Sequence, residues 1–98
     1  MKKQFMVEFD VPQMMTEDMA RLIPAHRNYI NFLLAEGKLK SYALAADRSG
    51  LWAVFVAENE FEVLEMIAKM PLADYLTPYI KELMFYNSAE QVLQFSLN

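Results

Sequence analysis

Near the start of the chain Phe5, Val7, Phe9 and Val11 alternate with Gln4, Met6, Glu8 and Asp10. A period of two is that of a strand with one buried face, and Pro12 ends it. The period then lengthens. Thr16 is a cap for a helix whose first turn carries Glu17 and Asp18, where the helix dipole favours negative charge. The helical pattern runs to Glu36, and Gly37 supplies the stop. Pro24 is expected to kink this helix or to split off its first turn. Lys38 to Ala46 reads as extended again, Asp47-Arg48-Ser49-Gly50 carries turn chemistry, and Leu51 to Ala57 is an apolar run. Those two strands are expected to form a hairpin. Asn59 and Glu62 suit the start of a second helix ending near Met70, because Pro71 cannot continue it. A last strand is expected from Tyr79 to Tyr86, then a helical turn over Ser88 to Leu93 and an apolar tail at Phe95 and Leu97.

Strand, helix, hairpin, helix, strand is the order of the split βαβ unit. The fold class is therefore α+β and ferredoxin-like, a βαββαβ chain with a four-stranded antiparallel sheet and two helices on one face. No repeat or linker interrupts it, so residues 1–98 read as one domain. The other sheet face has no cover of its own. Leu51 to Ala57 nonetheless has no polar side chain beyond the indole nitrogen of Trp52, so both faces of that strand want burial. A second copy of the chain packed sheet to sheet would bury them, and the tail from 87 to 98 offers a further contact between copies.

Composition sharpens this. The hydrophobic fraction is 55%, high for a small domain that must cover its own core, which again favours a homodimer or higher homo-oligomer. The formal charge is −4 and the lysines and arginines are scattered, which argues against nucleic acid as a partner. Without cysteine there is no disulfide, thiolate metal site or thiol nucleophile. Glu8 and Asp10 break the apolar stretch a signal peptide would need, and no run is long enough to span a bilayer. The expectation is a cytoplasmic protein that does not engage membranes.

On a wheel of about 100° per residue, Met19, Leu22, Ile23, Ile30, Leu33 and Leu34 form the apolar stripe of the first helix. His26, the single histidine, falls near its middle, with Arg27 at one edge and Tyr29 near the other. An inward imidazole is either a core group that has found a hydrogen-bond partner or a pocket group able to exchange protons near neutral pH. Both readings are open. Glu8, Asp10 and Asp74 have no spacing that forces a carboxylate pair, and Trp52, Tyr42 and Phe55 could stack on a ring or simply pack. No metal-ligand spacing, phosphate loop or nucleotide fingerprint is present.

The stretch Glu36-Gly37-Lys38-Leu39, the strand end Val54-Phe55-Val56, the helix from Glu60 to Lys69, and Met70-Pro71-Leu72 with Tyr75 resemble muconolactone isomerases. That resemblance implies a dimeric α+β barrel built from two split βαβ domains. It also implies a cofactor-free enzyme of aromatic-compound catabolism that moves a proton on a small unsaturated lactone acid. Carried over, His26 is the catalytic proton shuttle and Arg27 the partner of a substrate carboxylate, since a guanidinium binds one bidentately. Tyr29, Trp52 and Tyr75 are the further candidates for substrate contact. The segment from Pro24-Ala25-His26 to Glu36-Gly37-Lys38 also resembles YCII-related proteins, in which such a histidine pairs with an aspartate before the proline after the second helix. Here that position is Met70, which removes the acidic partner.

Two functions stand side by side on this basis. One is a cofactor-independent isomerase acting on a small organic acid or lactone. The other is a non-catalytic ligand-binding or assembly module on the same fold.

Overall fold

The computed structural model describes residues 1–89; beyond Ser88 and Ala89, the helical turn expected over Ser88 to Leu93 and the apolar tail at Phe95 and Leu97 lie outside the described residues. Strand β1 (Lys3–Asp10) turns Phe5, Val7 and Phe9 inward, as its alternation requires, and sits at the centre of an antiparallel sheet. On one side it pairs with β3 (Leu51–Ala57), setting Phe5 opposite Phe55 and Val7 opposite Ala53. On the other it pairs with β4 (Thr77–Glu82), setting Val7 opposite Ile80. The hairpin partner β2 (Leu39–Leu44) completes the order β2-β3-β1-β4. Helices α1 (Glu17–Ala35) and α2 (Glu60–Ala68) complete the βαββαβ chain, and a short 3-10 helix, Ala73–Tyr75, leads into β4.

The core lies between the helices and one face of the sheet. Phe5, Phe9, Phe55, Leu33, Leu39 and Val63 are fully buried there, each worth about 1.5–3 kcal/mol relative to exposure. Both helices start where the side chains dictate. Thr16 accepts from the Met19 N–H at 3.1 Å, and Asn59 accepts from the Glu62 N–H at 2.9 Å. Glu62 reaches back to the Glu58 N–H at 2.7 Å. Gly37 ends α1 in the left-handed conformation, φ +73°, which a side chain would disfavour. Pro24 does not split the helix, which runs as one element from Glu17 to Ala35.

Two elements differ from expectation. The last strand spans Thr77–Glu82 rather than Tyr79 to Tyr86, because its register with β1 places Glu82 opposite Phe5 and β1 itself begins at Lys3. The ladder closes with the Leu83 N–H on the Gln4 carbonyl at 2.8 Å, one residue short of the start of β1 at Lys3. Met84 and Phe85 are then 97% and 70% exposed. The second difference is in β2, where Leu39 faces Phe55 and Ser41 faces Val54, leaving Lys40 as an extra bulged residue. Because of it, Leu39 and Tyr42 both lie on the helix-covered face although they are three apart.

The other face carries Met6, Glu8 and Asp10 of β1, Trp52, Val54 and Val56 of β3, and Tyr79 and Lys81 of β4. No element of the described chain packs over it as the helices cover the opposite side. Among the described residues, no helix is long and apolar enough to cross a membrane.

Candidate functional site

The 3.6-residue period of α1 and the bulge in β2 bring His26 and Tyr42 together from opposite walls of the same layer. His26 is 5% exposed, and its Nε2 lies 2.8 Å from the Tyr42 hydroxyl. The rings meet at 49° with centroids 6.1 Å apart, a tilted contact. The other ring nitrogen is met by a third element. Nδ1 accepts the Leu72 backbone N–H at 3.4 Å, a long bond from the Met70-Pro71-Leu72 segment after α2.

These contacts assign the protons. A backbone N–H can only donate, so Nδ1 is the acceptor and the neutral ring carries its proton on Nε2. Nε2–H therefore donates to the Tyr42 oxygen. The Tyr42 hydroxyl proton is then left to point elsewhere. Desolvation lowers the His26 pKa below 6.5 and pushes that of Tyr42 up to about 12, so at neutral pH the imidazole is uncharged and the phenol protonated. An aspartate at position 70 would have acted in the opposite sense, taking Nδ1–H and freeing Nε2 as a base. The orienting role left open by Met70 falls instead to the Leu72 N–H and the Tyr42 hydroxyl.

Beside this pair opens a cavity of about 350 Å³ at the edge of the sheet, lined by His26, Arg27, Ile30, Asn31, Leu34 and Tyr42. Arg27 and Asn31 bring polar groups to a wall otherwise built from Ile30 and Leu34, and among the described residues Arg27 has no carboxylate partner. A small acid fits such a site, with the guanidinium for its charge and aliphatic carbons for its chain. Leu34 is exposed at this mouth rather than packed in the core, as its place on the helical stripe had suggested.

The five candidate residues part company here. His26 and Arg27 line the cavity together. Tyr29 is not among its lining residues; its hydroxyl donates to the Met66 carbonyl at 2.9 Å and ties α1 to α2. Trp52 lies on the uncovered face of the sheet, 40% exposed, with its ring folded back over the turn at Gly50. Tyr75 sits in the 3-10 helix and does not reach the cavity wall. Asp10 accepts from the Tyr79 hydroxyl at 2.9 Å, also on the uncovered face. Tyr42 is the residue sequence reasoning passed over, having read it as one of several stacking or packing aromatics. Its signal was the broken alternation at Leu39, Tyr42 and Leu44, which marks a bulge. Among the described residues, no group of three or more His, Asp or Glu is placed to hold a metal ion.

A βαββαβ sheet covered by helices on one side, with a polar-mouthed cavity between the first helix and an edge strand, defines a small protein of the α+β class. The chain belongs to the muconolactone delta-isomerase family, whose model matches residues 3–89. Among solved structures it is similar to the crystal structure of muconolactone isomerase, with a TM-score of 0.69 at 18% identity, over 88% of this chain and 93% of that one. At that identity the likeness speaks for the fold. No curated protein matches the sequence.

Proposed function

We propose that the chain is a cofactor-independent isomerase that binds a small organic acid or lactone beside His26 and relocates a proton on it. The observation that carries this reading is the cavity itself, in which a buried, hydrogen-bonded imidazole shares one wall with a guanidinium that has no carboxylate partner among the described residues. Arg27 takes the substrate carboxylate. A carbon–hydrogen bond next to the conjugated system breaks, its electron pair spreads toward the carbonyl oxygen, and a proton returns at a second carbon, so nothing is gained or lost overall. His26 handles that proton together with Tyr42. To accept it at Nε2 the ring must first hold its resting proton on Nδ1, giving up the long contact with the Leu72 N–H.

Incubation with muconolactone in deuterated water tests this directly. Deuterium should enter the lactone acid in the presence of the wild type, while His26→Ala should lose that exchange and keep the wild-type circular dichroism. A lactone acid that keeps all its protons with wild-type protein would overturn the reading.

A second reading is favoured by the same Leu72 contact. A backbone donor on Nδ1 holds Nε2 in its protonated form, which suits a ring that orients a neighbour better than one that removes protons. On that reading the chain binds a small acid without turning it over. Under either reading a second copy is the proposed cover for the sheet face carrying Met6, Val54 and Trp52.

A further inference from the structure

The direction of the hydrogen bonds around His26 has a consequence for what the cavity recognises. The Leu72 N–H fixes Nδ1 as acceptor, Nε2–H donates to Tyr42, and the phenol oxygen is thereby supplied with its donor. Among the described residues nothing else takes the Tyr42 hydroxyl proton, and Tyr42 lines the cavity. We infer that Tyr42 is the specificity-determining residue of this site and donates its hydroxyl to an uncharged oxygen of the bound acid, with His26 as the residue that positions it. The ligand class follows from the walls. Arg27 takes a carboxylate, Ile30 and Leu34 take a short carbon chain, and Tyr42 takes a ketone or lactone carbonyl on that chain. An unsubstituted fatty acid leaves the phenol unpaired. Burial supports the assignment, because a phenol held well above its ordinary pKa stays a donor across the neutral range.

The inference rests on the cavity being the binding site, and the experiment separates the two. Binding of 2-oxopentanoate, 4-oxopentanoate and pentanoate is measured by NMR titration on the wild type, Tyr42→Phe and Arg27→Ala, two oxo positions being used because the arginine side chain is flexible. At least one oxo acid should bind the wild type about five- to tenfold more tightly than pentanoate, the worth of one neutral hydrogen bond. Tyr42→Phe should bring that ratio to about one. Arg27→Ala should weaken all three acids alike. If the acids bind but the ratio is already one in the wild type, or survives in Tyr42→Phe, the role of Tyr42 is overturned and the cavity stands. The wild-type ratio decides the matter even where a variant fails to fold. If no acid perturbs the His26 resonances, both the cavity and the role of Tyr42 fall.

Discussion

At the scale of single residues, the inward place of His26 follows from the helical stripe alone, because 3.6-residue periodicity sets which face a side chain occupies. Its partners do not follow from it. Tyr42 is sixteen residues away and the Leu72 N–H forty-six, and neither separation has a periodic signature. The chemical state of the ring depends on those partners, so the sequence left core and pocket readings open until they were known. The buried state has a testable effect on stability. Desolvation favours the neutral imidazole, so below pH 6.5, the ordinary value, the unfolded chain binds more protons than the folded one. Stability from this group is full above 6.5, declines as pH falls through that value, and levels off only beneath the lowered folded pKa. The urea midpoint should therefore drop between neutral pH and pH 5 in the wild type and follow a flatter course in His26→Leu. Equal slopes for the two proteins would show that the ring is not desolvated.

At the scale of elements, the signals that transferred from sequence to structure are local and chemical. Side-chain oxygens cap backbone N–H groups within three residues, so Thr16 and Asn59 mark helix starts without help from the rest of the fold. Replacing Asn59 by Ala should lower stability by about 1 kcal/mol, read as a shift of the denaturation midpoint, because the Glu62 N–H then loses its acceptor. An unchanged midpoint would mean that Glu62, bonded back to Glu58, carries the start of α2 unaided. What was not legible is set by pairing between distant segments. The end of β4 is decided by where β1 begins, and the bulge at Lys40 by the need to face both Leu39 and Tyr42 toward the helices. Strict alternation from Leu39 would have turned Tyr42 to the uncovered face, where it could not have met His26. One irregular residue in an edge strand thus decides whether the cavity has the Tyr42 phenol.

At the scale of the whole molecule, the layers account for one face of the sheet and leave the other to be explained. The uncovered face is not uniformly apolar: Glu8, Asp10 and Lys81 share it with Met6, Val54, Val56 and Trp52. Its centre is nevertheless dry, since Val54 is 1% exposed even in the single chain, screened by its own neighbours. A central apolar strip bordered by charges is how surfaces between subunits are commonly arranged, with polar groups at the rim. Sheet-to-sheet packing of two copies would bury Met6, Val56 and Trp52 without forcing the rim charges out of water. The expected result in sedimentation is a dimer or larger assembly at micromolar concentration. Met6→Lys sets an ammonium directly opposite Lys81 across the β1–β4 ladder. Like charges opposed on that face should drive the mass toward a single subunit while the far-ultraviolet circular dichroism is kept, because the core lies on the other side of the sheet. A wild type that sediments as a stable single subunit would mean that these side chains are simply tolerated in water. The cavity, walled by α1 and β2 of one chain, would then have to function without a neighbour.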